Sequence, residues 1–188
     1  MRTSLRKSPR LKGFDYAGPY GYNVTVVTRR RQPVFRNASI VEIALEALER
    51  ACRQHGFTLH AYCFMPDHVH LVWMGVRVDS DQRNAMKFLR KHLAAELARR
   101  SPTGAEFELQ KQSHDSVLRE RDRVRGAFEK SCFYVLDNPR RKGLVEHPRD
   151  WPHLGALVPG YPFLHPLGED FWEQFWKLHA QKREPAPT

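Results

Sequence analysis

The stretch AYCFMPDHVHLVWMG, Ala61–Gly75, decides how this chain folds. Apolar residues run up to Pro66-Asp67 and resume after it, the pattern of two strands joined by a tight turn. A strand turns its side chains to alternate faces and rises about 3.3 Å per residue. His68, His70, Val72 and Met74 therefore share one face, and Val69, Leu71 and Trp73 share the other. Two imidazoles about 6.6 Å apart at Cα on one face can converge on a single ion, which imidazole binds through one neutral ring nitrogen. The alternative is a pair of hydrogen-bonded sheet histidines. A closed zinc site is not indicated, because no Cys or further His follows at finger spacing.

Working outward, the β-branched run Val24–Thr28 predicts a strand, with Arg29, Arg30 and Arg31 at its exit. Ile40, Ile43, Ala44, Ala47, Leu48 and Ala51 recur at helical spacing over residues 39–55. Ser39 or Asn37 can cap that helix, and Gly56 stops it. Residues 79–100 predict a second helix with a stripe of Met86, Leu89, Leu93 and Leu97. HDSVLR (114–119) predicts a short strand, and 120–139 a third helix ended near Asn138-Pro139. The Pro- and Gly-rich residues after it predict an ordered wrapping segment. GEDFWEQFWKLHA predicts a terminal amphipathic helix with Phe171, Trp172, Phe175 and Trp176, placed on the core or at a dimer contact. The order β-α-β-β-α-β-α is the split βαβ pattern. The expected class is α+β: a ferredoxin-like antiparallel sheet with helices packed on it and a C-terminal helical extension. Expected boundaries are a basic flexible arm over 1–18, a main domain over 19–166, and a terminal helix and tail over 167–188.

The 188 residues carry a net charge of +10. Such an excess favours a polyanionic partner, nucleic acid first. Candidate phosphate contacts are Arg29, Arg30, Arg31, Arg83, Lys87, Arg90, Arg119, Arg121, Arg140, Arg141 and Lys142. Cys52, Cys63 and Cys132 sit in apolar surroundings without CxxC spacing, which suits buried thiols in a reducing compartment. No apolar run has spanning length, and the basic N-terminus lacks the apolar core of a signal peptide. A cytoplasmic, nucleoid-associated location with no membrane partner is expected.

In SCFYVLDNPRRKGLV, Tyr134 and Asn138 are four residues apart and share a helical face, about 6 Å apart along the axis. Taken alone they read as a core-edge aromatic and a C-terminal cap. Taken with the histidines they read differently. His68, His70 and an outward-facing Asn138 amide oxygen make three neutral ligands for Mn²⁺ or Mg²⁺, leaving positions for phosphate oxygens. Tyr134 is then a candidate nucleophile.

MPDHVHLVW resembles the His-hydrophobic-His (HUH) motif of the HUH single-strand endonucleases. YVLDNPRRKGLV is similar to the single-tyrosine helix of the small HUH transposases, nearest to the REP-associated tyrosine transposase branch. TRRRQPVF, HDSVLR and WPHLGALVPGYP resemble its recurring segments, so the likeness spans about Tyr20 to Pro166. Relatives often carry an aromatic where this chain has Ser113. The resemblance implies His68 and His70 as metal ligands, Asn138 as the third, and Tyr134 as the nucleophile, Phe133 having no hydroxyl. It implies a monomeric or homodimeric enzyme that cuts and rejoins single-stranded or hairpin DNA through a 5′-phosphotyrosine. Two other classes stand beside it. One is a non-catalytic single-stranded nucleic-acid-binding module of the same fold. The other is a metal-dependent hydrolase that uses water.

Overall fold

A computed structural model of the chain describes residues 13–100, 107–111, 113–118, 125–161 and 164–183. The hairpin forms as its alternation requires. Strand β2 (Phe57–Met65) and β3 (His68–Gly75) pair antiparallel across Pro66-Asp67, with Met65 opposite His68. β1 (Gly21–Val27) lies on the other side of β3, and β4 (His114–Val117) lies beyond β1. β3 thus fills the gap between β1 and β2, and β1 fills the gap between β3 and β4. That is the split βαβ arrangement, run twice through one sheet.

The two crossovers are the helices α1 (Ala38–His55) and α2 (Gln82–Arg100). They leave antiparallel strands and travel in opposite directions, so a common right-handed crossover sets both on one sheet face. Their apolar stripes, Ile40, Ile43, Leu48, Met86, Leu89 and Leu93, bury against Tyr22, Val24, Val26, Leu59, Phe64, Val69, Leu71 and Trp73. Asn37 caps α1 by accepting a hydrogen bond from the Ser39 amide. Gly56 ends it with φ 66°, a left-handed turn that glycine takes without strain.

The opposite face is covered by α3 (Arg125–Leu136) and α5 (Phe171–Lys182). Phe128, Cys132, Val135 and Leu136 of α3 pack on Ala61, Cys63, Met65, Val72 and Met74, with Trp172 and Trp176 of α5 beside them. The terminal helix therefore joins the core. All three cysteines are buried free thiols. Among the described residues, no helix is long and apolar enough to cross a membrane.

Three expectations need correction. The wrapping segment contains a fifth strand, β5 (Leu154–Leu157), antiparallel to the open edge of β2, so the sheet order is β4-β1-β3-β2-β5. Four apolar residues among prolines and glycines give too short a period to announce a strand. The basic arm does not extend to residue 18. Tyr16 is buried, its carbonyl accepts from the Gln82 amide and the Tyr22 hydroxyl, and Ala17 bridges Asp81. Residues 1–12 lie outside the described residues. Finally, α3 does not run through Asn138. It stops at Leu136, and a four-residue helix, α4 (Asn138–Arg141), begins with Pro139 near its start. Proline has no amide to lose in a first turn and suits that position.

Gly75 closes β3 where the chain crosses Gly18. A Cβ there would stand 2.4 Å from the Gly18 carbonyl oxygen, which is backbone and cannot swing away. Gly75→Ala is expected to cost about 1–3 kcal/mol, read as a lower urea midpoint with an unchanged slope.

The register of β2 shifts between Leu59 and Ala61, and the extra residue is His60. Its fully buried ring packs against Phe128, Phe175, Trp176 and His179. The Thr58 hydroxyl and His179 Nδ1 are hydrogen-bonded at 2.8 Å, tying α5 to the sheet. Burial, aided by Arg183, lowers the His179 pKa to about 4, and burial pushes His60 well below its ordinary value. In the unfolded chain both return to about 6.5, so the unfolded state takes up protons first as pH falls. Stability is complete above pH 6.5 and declines toward pH 4, with His179 alone contributing about 3 kcal/mol. The Tm is expected to drop by roughly 6–12 °C across that window, and His179→Gln should flatten the slope.

Candidate metal and nucleic-acid site

His68 and His70 open β3 on the face covered by α3. The alternation anticipated from sequence is kept, and the rings meet: Nε2 of His68 lies 3.1 Å from Nε2 of His70. The other nitrogen of each ring is held by a neighbour. His68 Nδ1 donates to Asp67 Oδ1 at 2.6 Å. His70 Nδ1 is 3.0 Å from the hydroxyl of Thr25, its cross-strand partner on β1. Such outer partners set which ring nitrogen points at an ion. With Asp67 fixing the Nδ1–H tautomer, the His68 lone pair sits on Nε2, toward His70.

Two nitrogen lone pairs cannot face each other at this separation without a cation or proton between them. Two nitrogens about 2.1 Å from one ion and at right angles to it are about 3 Å apart. The donor pair therefore fits a shared divalent ion. Thr25 supports this arrangement in either state, because a hydroxyl both donates and accepts. Burial, and secondarily His68, lowers the His70 pKa to about 4, so that ring is neutral near pH 7. Burial raises the Asp67 carboxyl, but its hydrogen bonds from His68 and Arg31 outweigh this and hold it below the ordinary value. Among the described residues no three His, Cys, Asp or Glu side chains form a metal cluster. A third protein ligand of another type is compatible with that.

Asn138 is buried rather than outward. Its amide nitrogen donates to the carbonyls of Tyr134 and Val135, at 3.2 and 3.0 Å. The last carbonyls of a helix lack internal partners, and Asn138 supplies them. Only its Oδ1 remains as an acceptor for a ligand. Tyr134 is 56% exposed on α3. The Arg141 guanidinium lies over its ring, 4.1 Å from the centroid, and a cavity of about 350 Å³ opens beside it, lined in part by Lys130 and Asp137. No hydrogen bond or ring contact among the described residues joins Tyr134 to the histidine pair. What they share is the sheet face.

The arginines divide by environment. Arg31 donates to Asp67 at 3.1 Å, and Arg29 to Glu108 at 2.9 Å. Arg30 and Arg31 take left-handed φ values of 58° and 53°. Arg83 pairs with Asp81, and Arg140 with Asp137. Arg90 is a clasp, donating to the carbonyls of Gln110 and Met86. Lys87 and Lys142 are exposed. Arg119 and Arg121 lie outside the described residues. In the sequence Asp67 reads only as a turn residue, and its place directly before His68 is the one local signal of its role behind that ring. Thr25 had none, since its role depends on strand register.

Fold and site together define a class: a ferredoxin-like α+β protein whose central strand presents a facing histidine pair toward a tyrosine-bearing helix. The family model described as "Transposase IS200 like" matches residues 19–113. The chain belongs to the IS200-like transposase family. No curated protein matches it significantly. A REP-associated tyrosine transposase solved bound to a REP hairpin superposes with a TM-score of 0.61 at 18% identity, over 77% of this chain and 81% of that one. That likeness establishes the common fold. A crystallised putative transposase from Deinococcus radiodurans R1 is 19% identical, covering 67% of this chain and 98% of its own, with a TM-score of 0.44.

Proposed function

We propose that this protein is a metal-dependent single-stranded DNA endonuclease and strand transferase that works through a 5′-phosphotyrosine. The observation carrying this reading is the 3.1 Å approach of the His68 and His70 Nε2 atoms, each ring braced from behind. Family membership and the hairpin-bound relative support it. His68 and His70, with Asn138 Oδ1 as the third donor, would hold Mg²⁺ or Mn²⁺, which when bound polarises non-bridging phosphate oxygens.

The chain's own residues do the rest. Tyr134 Oη forms a bond to phosphorus as the bond to the 3′-oxygen breaks. The phenol gives up its proton, the 3′-oxygen gains one, and the downstream strand stays on the enzyme by its 5′-phosphate. Return attack by a 3′-hydroxyl reverses this without an external energy source. Arg141, already on the Tyr134 ring, fixes its orientation and brings positive charge to the incoming phosphate. Arg140 and Lys142 flank it, and Arg29–Arg31 flank the histidines.

The test uses hairpin DNA with a single-stranded flank, labelled at its 3′ end and incubated with Mn²⁺. A covalent band carrying the label is expected on a denaturing gel, absent with EDTA or in His68→Ala. Cleavage without an adduct would select the water-using hydrolase, and binding without cleavage the non-catalytic module.

A further inference from the structure

A groove of about 600 Å³ runs between α2 and the segment 107–111, on the sheet face opposite the histidines. Arg83, Lys87 and Lys91 form one of its rims at i, i+4, i+8 spacing, a row of positive charge with a step of about 6 Å. Lys111 stands in the other rim. Lys87, Lys91 and Lys111 have no hydrogen-bond or ion-pair partner among the described residues. Leu93, Leu97 and Leu109 contribute apolar lining.

The far wall is fastened to the exit of β1. The Gln110 amide donates to the Val27 carbonyl, and the Arg29 amide to that of Glu108. From there the arginine turn crosses the end of the sheet where β1 exits. Arg29 pairs with Glu108, which lines the groove. Arg31 pairs with Asp67, the brace of His68. Arg30 lies between them, exposed and without a hydrogen-bond or ion-pair partner among the described residues. Thr28 locks the turn by donating its hydroxyl to the carbonyls of Asp67 and Gln32. Two consecutive non-glycine residues in left-handed backbone are costly, and such strain gathers at functional positions.

We propose that the groove seats unpaired DNA and that the arginine turn carries the strand from it past the end of β1 to the histidine pair. The choice of DNA as ligand rests on the strand-transfer reading. Charge complementarity selects a phosphate backbone, and the apolar lining selects a strand whose bases are exposed. A duplex turns its bases inward and cannot lay them on that apolar lining. Basic rims with apolar seats are how unpaired strands are held. Exposed ion pairs such as Arg29–Glu108 are weak enough for a phosphate to displace the carboxylate.

The experiment measures fluorescence anisotropy of a labelled, unstructured 12-nucleotide strand in EDTA, across a salt series. Lys87→Gln/Lys91→Gln/Lys111→Gln is expected to bind about tenfold more weakly. Its slope of log affinity against log salt should be shallower by about 2, from three lost contacts at about 0.7 each. Arg30→Gln should weaken binding in the same direction. A blunt duplex of equal length should lose less than twofold, and Tm and Mn²⁺ affinity should not change. Unchanged affinity and slope in the triple variant overturn the proposal, as does an equal loss for the duplex. The outcome is separable from the strand-transfer reading. A wild type that forms no adduct defeats that reading alone if the lysine variant still binds weakly. An adduct with undiminished binding in the variant defeats the track alone.

Discussion

Tyr134→Phe is expected to abolish the covalent protein–DNA adduct and to slow strand cleavage by about 10⁴-fold or more, the scale on which losing a nucleophile acts. The change removes one oxygen. The ring keeps its place under Arg141, because the stacking of a guanidinium does not need the hydroxyl. Tyr134 is 56% exposed, so the fold should stay within about 0.5 kcal/mol of wild type. DNA affinity should also persist, since the basic residues are untouched. Lost chemistry with kept binding and kept Tm is the signature of a nucleophile. An adduct formed equally well by the variant would remove Tyr134 from the mechanism. Phe133 beside it has no hydroxyl and offers no substitute.

Asp67→Ala should weaken Mn²⁺ binding by about 10- to 100-fold, the usual cost of losing the partner behind a metal-binding imidazole. Asp67 touches no substrate in this reading. It fixes His68 with its proton on Nδ1 and its lone pair on Nε2, through a 2.6 Å hydrogen bond, and is itself held by Arg31. Without it the His68 ring can rotate and exchange tautomers. The measurement is Mn²⁺ titration of DNA-free protein by calorimetry or electron paramagnetic resonance. Nitrogen chemical shifts of His68 add a second readout and should move from one tautomer toward a mixture. A dissociation constant within twofold of wild type would show that Asp67 serves the turn alone.

The hairpin, both crossover helices and the two-face division were legible because they depend on local period. His68 and His70 share a face in any strand that carries them, and Ile40 to Ala51 form a stripe in any helix of that span. The segment 143–166 was not legible in this way. Its strand exists because the β2 edge offers unpaired backbone groups, and a four-residue strand has too little pattern to declare itself. Asn138 shows the same limit on a smaller scale. Its position beside Pro139 marks a helix boundary, but whether its amide turns outward or back onto the carbonyls of α3 depends on which groups are left without partners.

By itself the sequence determined the class of fold, the histidine pair, the tyrosine on its helix and the strong positive charge, because residue type and spacing suffice for each. Only the tertiary structure decided how these parts address one another. Strand register brought Thr25 to His70, the turn brought Asp67 to His68, and the turn after β1 brought Arg31 to Asp67 and Arg29 to Glu108. The physical reason is distance along the chain. Thr25 and His70 are 45 residues apart, and Arg31 and Asp67 are 36. Contacts at such separations follow from sheet pairing and crossover handedness, which no short window of residues contains.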